Sequence, residues 1–104
     1  MEQVKKLESK FKVGDTVYYY SRKDSKVKKD EVSRITYDNN IDLFCYYLKN
    51  PDLIYKEDEL YETFEECKED CISHFEYLLN NPFYLNKTKA KKMLENIKVQ
   101  EEVL

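Results

Sequence analysis

Glycine is nearly absent from this chain of 104 residues: Gly14 stands alone, beside two prolines, one histidine and no tryptophan. Each scarcity excludes something. One glycine cannot build the glycine-rich loops that cradle phosphates. One histidine, His74, leaves a single position for imidazole chemistry. Three cysteines, an odd count, do not make a disulfide framework and fit a reducing compartment. The longest apolar run, residues 43–48, is far short of the roughly 20 residues that span a bilayer. The opening MEQVKKLESK has no apolar core of the kind a secretion signal carries. The expectation is a cytoplasmic protein with no membrane partner and no cofactor.

What is present is aromatic and charged. Ten tyrosines and five phenylalanines stand among 41% hydrophobic and 38% charged residues, enough apolar surface for one folded domain over residues 1–104. The net charge of −3 is unevenly spread. Residues 1–36 hold ten lysines or arginines against six carboxylates, residues 37–81 three against twelve, and residues 82–104 five against three. An acidic middle lies between two basic ends, whereas a dedicated nucleic-acid binder is usually basic overall.

The first half has the two-residue period of strands. Gly14-Asp15 predicts a tight turn, because glycine takes positive φ without strain and aspartate bonds its own backbone. A strand over 16–22 follows, with Val17 and Tyr19 on one face and Tyr18 and Tyr20 on the other. In a second strand, 31–37, Val32 and Ile35 are three apart, which breaks the alternation and predicts a bulge. Turns at 38–40 and 50–52 bracket a strand over 43–48. Shorter strands are expected over 53–56 and 59–62.

At Thr63 the period changes. Thr63 and Glu66 have capping-box spacing. Phe64, Cys67, Cys71, Phe75 and Leu78, widened by Ile72 and Leu79, form a helical stripe ended by Asn81-Pro82. A second helix is expected from Asn86, with Ala90, Met93, Leu94 and Ile97 buried and Leu85 stapled to Ala90. Val4 and Leu7 allow one amphipathic turn before the first strand. Strands followed by helices make an α+β pattern.

Phe11-Lys12-Val13-Gly14-Asp15-Thr16-Val17-Tyr18 resembles the opening of SH3-like small barrels, including the Tudor and KOW types, in which K-x-G-D-x-V commonly marks the turn into the first strand. The stretch YKEDELYETFEE, residues 55–66, resembles the barrel-to-helix junction of short uncharacterised proteins from low-GC bacteria, their phages and mobile elements. The resemblance implies an SH3-like antiparallel β-barrel of four or five strands over 11–62 and a pair of helices over 63–99.

Cys67, Cys71 and His74 share a helix face, and Cys45 could complete a zinc set. Structural zinc sites usually draw a closely spaced pair from a loop, however, and the two cysteines also continue the apolar stripe. A Cys71–His74 nucleophile lacks an orienting third group, and the carboxylates Glu57, Asp58 and Glu59 suit a solvated face as well as acid–base work. No catalytic, cofactor or metal residues are therefore expected, and the protein is read as a non-enzymatic binding module. The acidic stretch, with Tyr55, Glu57, Asp58, Glu59 and Tyr61, points first to a protein partner: tyrosine anchors interfaces and a negative surface steers basic ones. The competing expectation is a nucleic-acid surface of Tyr18, Tyr20, Lys23, Lys26, Lys28 and Lys29, with bases stacked on rings and phosphates on lysines. The tyrosine faces could instead serve a homo-oligomer.

Overall fold

The structure is a computed structural model that describes residues 8–49 and 54–102. It is an α+β small barrel: a four-stranded antiparallel half-barrel sheet followed by two helices. Strands β1 (Thr16–Ser21), β2 (Lys26–Asp38), β3 (Leu43–Leu48) and β4 (Ile54–Lys56) are hydrogen-bonded in chain order. A 3-10 turn, Glu57–Glu59, leads to helices α1 (Phe64–Asn80) and α2 (Lys87–Val99). The expected N-terminal helical turn at Val4 and Leu7 and the turn at 50–52 lie outside the described residues.

Gly14 takes φ +96° in the turn in which the Asp15 N–H bonds the Lys12 carbonyl at 3.0 Å, a position closed to most side chains. The Asp15 carboxylate accepts the Lys12 N–H at 2.8 Å and locks the turn from the other side. The later turns have no glycine. Ser25 and Asp42 take the left-handed conformation there, at φ 53° and 55°. Asp42 does so just past the turn expected at 38–40.

β2 is longer than its sequence suggests. The polar residues 26–30 join the ladder because Val27 pairs opposite Tyr20 and Lys29 opposite Tyr18, so cross-strand contact overrides weak strand propensity. The expected bulge is present. The β2–β3 register shifts between Val32 and Arg34, which keeps both Val32 and Ile35 turned to the barrel interior.

The expected strand at 59–62 is reduced to one bridge. Tyr61 and Tyr18 exchange both main-chain bonds at 2.9 Å, and the preceding residues coil into the 3-10 turn. That bridge draws the chain after β4 back to the free side of β1 and curls the sheet.

Two apolar cores result, one on each face of β1. Val17 and Tyr19 point into the barrel with Phe11, Val32, Tyr46, Leu48 and Leu60. Tyr18 and Tyr20 point the other way, under the helices, beside Val27, Phe64, Cys67 and Phe75. α1 starts at Thr63, whose Oγ1 accepts the Glu66 N–H at 3.1 Å as the capping pattern predicts. α2 starts at Asn86 and buries Ala90, Leu94 and Ile97. The expected Leu85–Ala90 staple does not form: Leu85 is 94% exposed and the Asn86 cap acts alone.

After α2 the chain straps the hairpin. The Gln100 side chain accepts the Val27 N–H at 2.8 Å and donates to the Val27 carbonyl at 2.7 Å, as a paired strand residue would. Tyr18 donates its hydroxyl to Glu102 at 2.6 Å.

A candidate partner-binding groove

A groove of about 540 Å³ lies where the barrel meets the helical hairpin. Tyr20 and Arg22 border it from the end of β1, and Tyr55, Asp58, Glu59 and Tyr61 from the segment that runs from β4 to α1. The opposite wall is helical. The stripe Cys71, Phe75 and Leu78 faces the sheet, so Asp70 and His74, each one residue earlier and four apart from each other, fall on the flank that borders the groove. Tyr84 and Lys89 complete that wall.

Four of the five residues expected to meet a protein partner thus share one groove. Glu57 does not. Its carboxylate turns inward, where Oε1 accepts the Tyr46 hydroxyl at 2.5 Å and the Lys10 N–H at 2.6 Å. Glu59 both borders the groove and closes the 3-10 turn, accepting the Lys56 N–H at 2.8 Å. Tyr61 donates its hydroxyl to Asp70, joining the barrel to α1 across the groove floor. Burial raises the pKa of Tyr61, and the Asp70 carboxylate raises it further. Tyr55 is half-buried against Tyr19, with ring centroids 4.8 Å apart, and burial raises its pKa too.

Tyr20 packs edge-on against Phe75, with ring centroids 5.6 Å apart. Its hydroxyl is sealed from solvent without a hydrogen bond of normal geometry. Burial raises its pKa, an effect the neighbouring Ser25 hydroxyl partly offsets.

The basic set is less concentrated. A second concavity, about 830 Å³, follows the β1–β2 hairpin and touches Lys23, Lys26, Lys28 and Lys29. Within β2, however, Lys26 and Lys28 share one face and Lys29 lies on the other, since side chains alternate. Lys28 is paired with Asp24. Tyr18 and Tyr20, the expected stacking surfaces, are half-buried under the helices, and Tyr18 is further engaged by Glu102.

Cys67 is fully buried; the neighbouring Cys71 thiol, and then burial, raise its pKa, while the Cys67 thiol lowers that of Cys71. Cys45 is on β3 and is not among the side chains packed with Cys67 and Cys71. Among the described residues no three His, Cys, Asp or Glu side chains gather to hold a metal ion. No helix among them is long and apolar enough to cross a membrane.

Sequence reasoning missed Asp70, Tyr84 and Lys89 as groove residues and assigned Tyr20 to the other surface. Asp70 and Lys89 look like ordinary polar helix positions, and no spacing links them to Tyr61. Comparison with protein-family models, with curated proteins and with solved structures finds no match.

Proposed function

We infer that the protein is a non-enzymatic binding module, built on an SH3-like barrel, whose groove takes a basic part of a protein partner. The observation that carries this is the convergence of Tyr55, Asp58, Glu59 and Tyr61 with Asp70 on one concave surface. Residues 54–76 hold nine carboxylates against two lysines, so the field at the groove mouth favours a cation even though Arg22 and Lys89 lie on its rim. Half-buried tyrosines provide rigid apolar walls with polar tips, the chemistry that anchors interfaces. The sharpest form of this reading is an accessory factor of a phage or mobile element. Its acidic surface would inhibit a nucleic-acid-handling enzyme by standing in for nucleic acid.

The test is a tagged pull-down from lysate of the source cells, half of it nuclease-treated, with wild type and the Asp58→Lys/Glu59→Lys variant side by side. A protein retained at near-equal stoichiometry after nuclease, released by salt and lost from the variant, is the expected result. Equal retention by both proteins removes the acidic groove from consideration. Glu57 is left intact because it supports the barrel.

The shared concavity along the hairpin favours one competing reading, a nucleic-acid surface formed by Lys23, Lys26, Lys28 and Lys29. That reading predicts oligonucleotide binding whose log affinity falls linearly with log salt, abolished by alanine at those four positions.

A further inference from the structure

The outer edge of β1 is only partly used. In an antiparallel pair, alternate residues turn their N–H and C=O groups away from the partner strand. Tyr18 and Val27 are such residues: both main-chain groups of Tyr18 bond Tyr61, and both of Val27 bond the Gln100 side chain. Tyr20 lies two residues beyond Tyr18 and directly opposite Val27, so its N–H and C=O also point away from β2. Among the described residues neither has a hydrogen-bond partner.

The gap has a specific cause. If the strand through Tyr61 ran on antiparallel to β1, Glu59 would lie opposite Tyr20. Glu57–Glu59 instead forms the 3-10 turn, and the Glu59 carboxylate is held by the Lys56 N–H. The open strand position therefore faces the groove, which Tyr20 and Arg22 border on one side and Asp58 and Glu59 on the other. The sealed Tyr20 hydroxyl adds a third unsatisfied group of the same residue beneath it. β2 treats its free edge differently: lysines line it and Gln100 occupies Val27. Among the described residues no such guard covers Tyr20.

We propose that a partner protein docks by adding a short extended segment to β1 at Tyr20, with a lysine or arginine side chain directed at Asp58 and Glu59. This rests on the acidic-groove reading above and names the form of the occupant. The Tyr20 N–H and C=O supply the main-chain pairing, which is indifferent to partner sequence. The two carboxylates supply the preference for a basic side chain.

Synthetic heptapeptides test it: a library alternating lysine with valine, threonine or tyrosine, and the same library N-methylated at alternate amides. Methylation removes the strand donors and keeps the charge. The expected result has three parts. The plain library binds, slows hydrogen exchange at the Tyr20 amide by at least about tenfold, and outcompetes the methylated library by at least about tenfold. The Asp58→Lys/Glu59→Lys variant then loses the plain peptides. Equal binding of both libraries with Tyr20 exchange unchanged overturns strand addition and leaves the acidic groove standing. No binding of either library at about 1 mM overturns both. Tyr20 protection that rises with protein concentration, in the absence of peptide, assigns the edge to a second copy of this chain and overturns the partner segment.

Discussion

Tyr46 and Glu57 are joined inside the barrel mouth by a 2.5 Å hydrogen bond from the tyrosine hydroxyl to the carboxylate. The same oxygen takes the Lys10 N–H, and the Tyr46 hydroxyl accepts the Phe11 N–H at 3.3 Å. One acidic residue thus ties the chain before β1, the middle of β3 and the 3-10 turn together. Its neighbours in sequence, Asp58 and Glu59, are exposed.

Glu57 and Asp58 should accordingly separate in a stability measurement. Glu57→Ala leaves the buried Tyr46 hydroxyl without its acceptor and is expected to lower stability by about 1–3 kcal/mol. Asp58→Ala is expected to stay within about 0.5 kcal/mol of wild type. Urea unfolding of both checks this, and coincident midpoints would contradict the internal role of Glu57.

Alkaline pH should unfold the protein through its tyrosines. Burial, then the bond to Glu57, pushes the Tyr46 pKa up to about 12. The bond to Glu102, then burial, does the same for Tyr18. An unfolded tyrosine titrates near 10. The fold favours the neutral phenol, so this stabilisation is complete below about pH 10 and is lost as pH rises through about 12. Melting temperature against pH should fall over that window, and Tyr46→Phe should make the fall shallower. An unchanged slope in that variant would rule out Tyr46 as a contributor.

Thiol labelling should rank the cysteines by their place in the packing. Cys67 is fully buried and its pKa is raised, whereas Cys45 and Cys71 are half-buried. Cys45 and Cys71 are expected to react in the folded protein and Cys67 only as fast as the structure opens. Cys67→Ser, which sets a hydroxyl into the helix–sheet core, is expected to cost about 1–3 kcal/mol. Three equal labelling rates would mean that α1 does not seal this core.

The Gln100 strap gives a fourth prediction. Gln100→Ala removes both bonds to Val27 and is expected to lower stability by about 1–2 kcal/mol and to speed hydrogen exchange at the Val27 amide. Gln100→Glu keeps an acceptor but loses the donor to the Val27 carbonyl, so only part of the protection should survive. Exchange at Val27 that ignores both substitutions would show the strap to be idle.

Features written in short-range periodicity follow the sequence closely. The alternation in β1 separates Val17 and Tyr19 from Tyr18 and Tyr20. The three-residue step from Val32 to Ile35 predicts the bulge, because side chains that must both face the core cannot be an odd number apart in a regular strand. Thr63 and Asn86 mark the two helix starts, because a cap acts within one turn. Tertiary structure alone decided that both faces of β1 are covered, since periodicity separates faces without saying what packs on each. It also turned Glu57 inward to a tyrosine eleven residues away, reduced the fifth strand to the Tyr18–Tyr61 bridge, and brought Asp70 to Tyr61. These contacts join segments whose approach depends on how the whole sheet curls, and no local pattern carries that information. The groove and the open edge at Tyr20 are products of that closure.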